Sequence, residues 1–195
     1  MQTSEPQPVP FPQSCTAFVG PTRLASGALA EVAVATRLAG PEAAPLVFDD
    51  ATGRVIDLDL RGSDAAIRQR YAGPVEPEQR KGPGRPKLGV TAREVTLLPR
   101  HWDWLGKQPG GASVALRKLV EAAQRSHADR DRARAAQESA YRFMSAMAGN
   151  QPGFEEAIRA LFARDRARFH SEMASWPADL SAYAARLAAD CFETK

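Results

Sequence analysis

Hydrophobic residues in the first third of the chain alternate in short runs and then recur at helical spacing. The runs "CTAFVG" and "TRLAS" predict two short strands, which Gly20-Pro21 separates. In "ALAEVAVATRLAG" the apolar side chains recur every three or four residues from Ala28 to Ala39, and the pattern stops at Gly40-Pro41. This stretch therefore predicts a helix that follows the two strands.

A β-hairpin is the next predicted element. Its turn falls in Asp50–Gly53, and in the second strand "RVIDLDL" the residues Leu58 and Leu60 alternate with aspartates. "SDAAIRQRYA" then predicts a helix with Ser63 or Asp64 as its N-cap. Residues 15–73 are thus expected to form a small α+β unit in the order strand–strand–helix–strand–strand–helix.

The middle of the chain, residues 93–126, predicts one strand and two helices. Arg93–Leu98 has the composition of a short strand, and Pro99 suits the first position of a helix, where its missing N–H costs nothing. Pro109-Gly110-Gly111 ends that helix, and Ser113 caps a second one with an apolar stripe. A lone strand leaves its backbone groups unpaired at both edges, so we expect it to pair with the same strand of a second copy.

Residues 127–195 have helical spacing throughout, and Pro177 falls at the start of a helix. The chain therefore predicts the α+β class, with a small N-terminal unit, a central strand–helix–helix segment and a C-terminal helical bundle. The side chains predicted to form the core of the bundle are Tyr141, Phe143, Met144, Met147, Phe154, Ile158, Leu161, Phe162, Phe169, Met173, Trp176 and Leu187.

Charge is distributed unevenly along the 195 residues, whose net charge is +3. Residues 1–78 carry −4, residues 79–126 carry +7 and residues 127–195 are neutral. The basic segment includes most of a Pro/Gly-rich linker, residues 74–92, and residues 1–14 have the composition of a disordered proline-rich tail. Basic charge confined to one segment favours a polyanionic partner, and nucleic acid is the partner we expect.

Few residues have the pattern of a catalytic or metal site. His101, His127 and His170 lack metal-ligand spacing, and no phosphate-binding loop or nucleophile elbow occurs. Positions in a turn and on a solvent-facing strand account for the hairpin aspartates better than a hard-metal site does. We therefore expect no catalytic residue, no metal, no cofactor and no enzymatic activity.

Composition also bears on where the protein is located. Cys15 and Cys191 are too few for a disulfide framework, so we expect reduced, packed cysteines. No apolar run approaches the roughly 20 residues of a membrane helix. These features favour a cytoplasmic protein that does not associate with membranes.

The middle segment resembles the ribbon–helix–helix DNA-binding fold, in which a two-stranded ribbon from two copies enters the major groove. The resemblance implies that Arg93–Leu98 is the ribbon and that the amides of Gly111, Ala112 and Ser113 hold a phosphate. If Val95 and Leu97 face the core, Thr96 and Arg100 are available to DNA, which is the register we favour. In the other register Arg93, Val95 and Leu97 face outward.

The basic linker resembles an AT-hook, whose Gly-Arg-Pro core lies in a narrow A·T minor groove. Gly84, Arg85 and Pro86 supply that core here, and Pro83 replaces the arginine that usually precedes it. The flanking cations assigned to the same contact are Arg80, Lys81 and Lys87. The resemblance implies weak binding by the linker alone and a useful contribution beside a dimeric DNA-binding fold.

Nearly the whole chain is similar to an uncharacterised bacterial family, domain of unknown function 2239. The stretches that carry this likeness include "VFDDATGRVIDLDLRG", "GRPKLGV", "REVTLLPRHWDWL", "QPGGASVALRKLVE" and "AYRFMSAMAG". It implies a bacterial protein and no particular activity. From the residues we expect a homodimeric DNA-binding protein, a transcriptional regulator or nucleoid-associated protein. The alternative is a non-catalytic protein-interaction or assembly module whose C-terminal helices bind a partner.

Overall fold

The structure is a computed structural model that describes residues 12–72 and 91–193. These residues fall into two units. The described part of the first unit consists of residues 12–72 together with residues 130–193, and that of the second unit is residues 91–129. The sequence predicts the N-terminal α+β region and the C-terminal helices as separate regions. In the structure they belong to one unit.

The predicted α+β class is confirmed. In the described residues the strands are β1 Cys15–Val19, β2 Thr22–Gly27 and β3 Leu46–Asp49. The helices there are α1 Leu29–Ala39, α2 Asp64–Tyr71, α3 Pro99–Gly106, α4 Gly111–Met147, α5 Phe154–Ala163, α6 Arg166–Glu172 and α7 Ala178–Ala188. Of the two predicted N-caps of α2, Ser63 is the one observed, because its side chain accepts a hydrogen bond from the Ala66 N–H.

The sheet has the order β2-β1-β3, and both pairings are antiparallel. The prediction of a full second hairpin strand after β3 is wrong. Beyond the turn only an isolated bridge joins Val55 to Phe48, and the Ile56 N–H donates to the Val47 carbonyl at 2.8 Å. The next residue that would face that side is Pro45, which precedes β3 and has no N–H to continue the ladder.

Aromatic rings from both halves of the first unit fill its core. Phe18 of β1 and Phe48 of β3 are fully buried, and both contact Phe143 of α4 and Tyr183 of α7. The ring centroids of Phe143 and Tyr183 are 4.5 Å apart. One face of the sheet therefore packs against α4 and α7, far along the chain, whereas the other face packs against α1.

The turn after β3 is held directly against α4. The Ser139 hydroxyl donates to the Ala51 carbonyl at 3.0 Å, and Arg142 Nη1 donates to the Thr52 carbonyl at 3.0 Å. Gly53 is buried with φ +64°, and a Cβ added there would lie 2.1 Å from the Ser139 carbonyl oxygen. Only glycine fits this position, since both the left-handed backbone and the close approach exclude a side chain.

Two predicted core aromatics, Tyr141 and Phe162, are not buried, and that prediction is wrong for both. Tyr141 is 44% exposed and Phe162 is 53% exposed. The neighbouring residues Phe143, Met144 and Leu161 point into the core instead. A side chain one or two positions along a helix points about 100° or 200° away, so Tyr141 and Phe162 turn toward solvent.

Candidate nucleic-acid interface

The described part of the second unit begins with residues 91–98, and the sequence predicts a strand over Arg93–Leu98. The structure assigns no strand there in the single chain. A strand needs a ladder partner, and no backbone–backbone hydrogen bond to another described residue involves residues 91–97. The predicted helix start at Pro99 is confirmed.

Few apolar side chains of the second unit are buried. In its described part only Leu105 and Ala115 are buried. A small apolar pocket of about 270 Å³ remains open and is lined by Leu97, His101, Trp104, Leu105, Leu116 and Leu119. Large exposed apolar side chains of the same unit are Val95, Leu98, Trp102, Trp104, Leu119 and Val120. Leu97 thus points toward the apolar pocket, whereas Val95 is exposed.

Two consecutive glycines connect α3 to α4. Gly110 has φ +84° and Gly111 has φ +75°, which are left-handed conformations that favour glycine. α4 begins at Gly111, so Ser113 is its third residue and lies inside the first turn, and the prediction of Ser113 as the N-cap is wrong. The amides of Ala112 and Ser113 are in that first turn, where no carbonyl four residues earlier in the helix accepts their hydrogen bonds.

The other predicted DNA contacts divide between described and undescribed residues. Arg93, Thr96 and Arg100 are all exposed, the first two before α3 and the third in its first turn. These side chains and the N-terminus of α4 therefore belong to the same unit, whose described part is residues 91–129. The predicted minor-groove residues Arg80, Lys81, Gly84, Arg85, Pro86 and Lys87 lie outside the described residues.

A hydrogen-bonded cluster around Asp50 in the first unit is not predicted from the sequence. Its carboxylate, with a side chain 9% exposed, accepts hydrogen bonds from Ser14 Oγ at 2.5 Å and from Thr16 Oγ1 and Tyr183 OH at 2.8 Å each. Arg186 Nη2 donates to Asp50 Oδ1 at 2.8 Å, and its guanidinium lies 4.6 Å from the Tyr183 ring centroid. The donors come from distant parts of the chain, so no local motif signals the cluster.

Burial and charge set the pKa values in this cluster. Burial alone raises the pKa of Asp50, but the hydrogen bonds from Arg186, Ser14, Thr16 and Tyr183 outweigh it and hold the pKa below its ordinary value. The pKa of Tyr183 is raised mainly by burial and, to a smaller extent, by its hydrogen bond to Asp50 and by the negative charge of Asp50. Burial and then the Asp50 and Asp49 charges raise the pKa of the Cys15 thiol to about 12. Asp50 is ionised and fully hydrogen-bonded, which is typical of a stabilising cluster.

Two cavities of the first unit contain charged side chains. A cleft of about 260 Å³ beside Asp50 is also lined by Arg132, Ser139, Arg186 and Asp190. A larger trough of about 520 Å³ lies between the end of α1, β3 and residues 55–61. Its arginines are already paired, Arg37 with Asp64 and Arg61 with Asp59. Neither cavity has an unpaired cation that we can assign to an anionic ligand.

These features define an α+β protein with a separate small helical unit, and comparison with known proteins assigns its family. The family described as uncharacterized protein conserved in bacteria (DUF2239) matches residues 14–188, so the chain belongs to this family. No curated protein matches the chain, and no solved structure matches it either. Among the described residues, every helix is too short or too polar to cross a membrane.

Proposed function

We propose that the protein is a homodimeric DNA-binding protein, either a transcriptional regulator or a nucleoid-associated protein. The proposal rests on the combination of features found in the second unit. Its described part combines a segment without backbone hydrogen bonds, few buried apolar side chains and a glycine turn into a long helix, directly after the most basic part of the chain. Both the ribbon–helix–helix resemblance and the AT-hook resemblance belong to this proposal.

The proposed dimer would pair the free backbone groups and cover the exposed apolar side chains of the second unit. A segment with unpaired backbone groups and exposed Val95 and Leu98 gains hydrogen bonds and burial when it pairs with its copy. The side chains that a second copy would cover include Trp102 and Leu119. A unit that buries so little apolar surface by itself gains most of its stability from such association.

DNA contacts follow from charge and geometry. Arg93, Thr96 and Arg100 supply exposed groups beside the paired segments. The first-turn amides of Ala112 and Ser113 suit a phosphate because the helix dipole is positive there, whereas the predicted contact from Gly111 is wrong for this chain, since its N–H donates to the Gln108 carbonyl at 3.0 Å. Arg85 and its neighbours would lie along the minor groove. The small number of base-reading side chains implies weak sequence specificity.

The first test is fluorescence anisotropy of the full chain with A·T-rich and G·C-rich duplexes over a salt series. We expect binding that weakens steeply with salt, because cations that contact phosphates displace bound counterions. Arg85→Ala is expected to weaken A·T-rich binding about tenfold and to flatten the salt slope by about one unit. Arg54→Ala, an exposed arginine of the first unit, is the control. No binding at low salt contradicts the proposal.

The second test addresses the dimer. Val95→Asp places like charges opposite each other across the proposed two-fold axis and is expected to weaken self-association at least about tenfold. Analytical ultracentrifugation of the full chain measures this change. Leu38→Asp is the matched control, because Leu38 is exposed and lies on α1 of the first unit. An unchanged association constant for Val95→Asp removes the ribbon from the proposal.

An assembly module that never contacts DNA is the second candidate. The exposed tryptophans Trp102 and Trp104 favour it, since large aromatic side chains are enriched at protein interfaces. The two tests separate the candidates: an assembly module loses self-association in Val95→Asp and binds neither duplex at any salt concentration.

A further inference from the structure

A pair of exposed aromatic rings marks a second surface, which lies in the first unit. The rings of Tyr141 on α4 and Phe162 on α5 pack edge to face, with centroids 5.8 Å apart. About half of each side chain remains accessible to solvent. Two adjacent large aromatics that stay exposed are costly to a protein unless they contact something.

Cations continue this surface along α4. Arg130, Arg134, Gln137 and Tyr141 are spaced four, three and four residues apart, so they share one face of the helix over about 16 Å. The Gln137 amide donates to the Leu161 carbonyl at 3.0 Å, which places this face against the last turn of α5. Arg130 and Arg134 are exposed on it.

The turn after α5 adds two further guanidiniums. Arg164 follows Phe162 by two residues and has a left-handed backbone, φ +57°, and Arg166 begins α6. Among the described residues, no carboxylate forms an ion pair with Arg130, Arg134, Arg164 or Arg166.

Two nearby carboxylates are already paired with other arginines, and the Asp165 carboxylate accepts a hydrogen bond from the Arg168 N–H at 3.0 Å. Glu138 pairs with Arg142 at 2.8 Å, and Glu156 pairs with both Arg159 and Arg168. The aromatic pair is therefore adjacent to cations that form no ion pair among the described residues, with the exposed Asp131 and Asp165 interspersed among them in the chain.

We propose that this surface, Tyr141 and Phe162 with Arg130, Arg134, Arg164 and Arg166, binds single-stranded nucleic acid. Unpaired bases stack on exposed aromatic rings, and a line of cations follows the phosphates beside them. A duplex cannot use the rings, because its bases are stacked on each other. The surface shares no residue with the duplex contacts proposed for the second unit, so either proposal can fail without the other.

The test measures binding of the full chain to a labelled oligothymidylate of about 20 nucleotides and to an abasic oligomer of the same length. We expect the oligothymidylate to bind at least about tenfold more tightly, because only it has bases to stack. Tyr141→Ala combined with Phe162→Ala should remove that difference and leave duplex binding unchanged. Tyr141→Phe, which keeps the ring, should retain it.

Arg164→Gly tests the cationic part without straining the backbone, because glycine favours the left-handed conformation at that position. It should weaken binding to both oligomers and flatten the salt dependence. Leu38→Ala, an exposed apolar residue elsewhere in the first unit, should change nothing.

Three results overturn the proposal. They are equal binding of the abasic oligomer and the oligothymidylate by the wild-type chain, full oligothymidylate binding by the double alanine variant, and displacement of the oligothymidylate by polyglutamate at equal charge. The last result would assign the surface to an acidic protein partner.

Discussion

Gly53→Ala is expected to lower the free energy of unfolding of the first unit by about 3 kcal/mol, a large fraction of the roughly 5–15 kcal/mol of a typical domain. The left-handed backbone costs a non-glycine residue about 1–2 kcal/mol. The new methyl group would lie 2.1 Å from the Ser139 carbonyl oxygen, which is backbone and must move with α4. Forced repacking of this kind costs about 1–3 kcal/mol.

Gly20→Ala is the matched control for this substitution. Gly20 also has a positive φ, +52°, but a Cβ added there meets nothing within 4 Å. It should therefore show the backbone cost alone. Urea denaturation of both variants, followed by far-ultraviolet circular dichroism, measures the difference. Equal destabilisation of the two variants would mean that the turn does not pack against α4 as described.

Asp50→Asn is expected to lower the stability of the first unit by about 2 kcal/mol at neutral pH, since hydrogen bonds to a charged group contribute about 1.5–3 kcal/mol. The asparagine NH₂ group is a donor, so it would face hydroxyl groups that now donate hydrogen bonds to the carboxylate. Arg186 would also lose its counter-charge. Tyr183→Phe removes one of these donors and leaves the carboxylate with Ser14, Thr16 and Arg186, so a smaller loss is expected.

The effect of Asp50→Asn depends on pH in a defined direction. The folded-state pKa of Asp50 is below its unfolded value, so the stability that its charge contributes is complete above about pH 4 and declines as pH falls through the folded pKa. The difference between wild type and Asp50→Asn should therefore narrow as pH falls below about 4. A difference for Asp50→Asn that stays constant down to low pH contradicts the assignment.

Local patterns predict the elements of this fold better than their packing. The strands β1 and β2, the helix α1 and the Ser63 cap follow from alternation, helical spacing and side-chain chemistry within a few residues. The second hairpin strand fails because its ladder depends on Pro45, which lies across the turn. Helical spacing identifies a helix but does not show which of its faces another element covers. For that reason the sequence wrongly predicts that Tyr141 is buried.

The candidate sites show the same limit. Residues 91–126 stand out in the sequence because the glycine turn and the basic linker are local features. The Asp50 cluster depends on Tyr183 and Arg186, more than 130 residues further along the chain, so only the structure identifies it. Likewise, the surface around Tyr141 and Phe162 depends on the contact between α4 and α5.

The arrangement of the first unit also affects how the chain folds during synthesis. Phe18 and Phe48 are made early, but their core partner Tyr183 leaves the ribosome after the whole second unit has been made. At about 5–20 residues per second the exposed sheet waits on the order of ten seconds. During that time its apolar face is open to chaperones or to other nascent chains. We therefore expect the first unit to complete its folding only after α7 has been synthesised, and expression of the full chain to depend more on chaperones than expression of a circular permutant that joins residues 130–193 directly to residue 12.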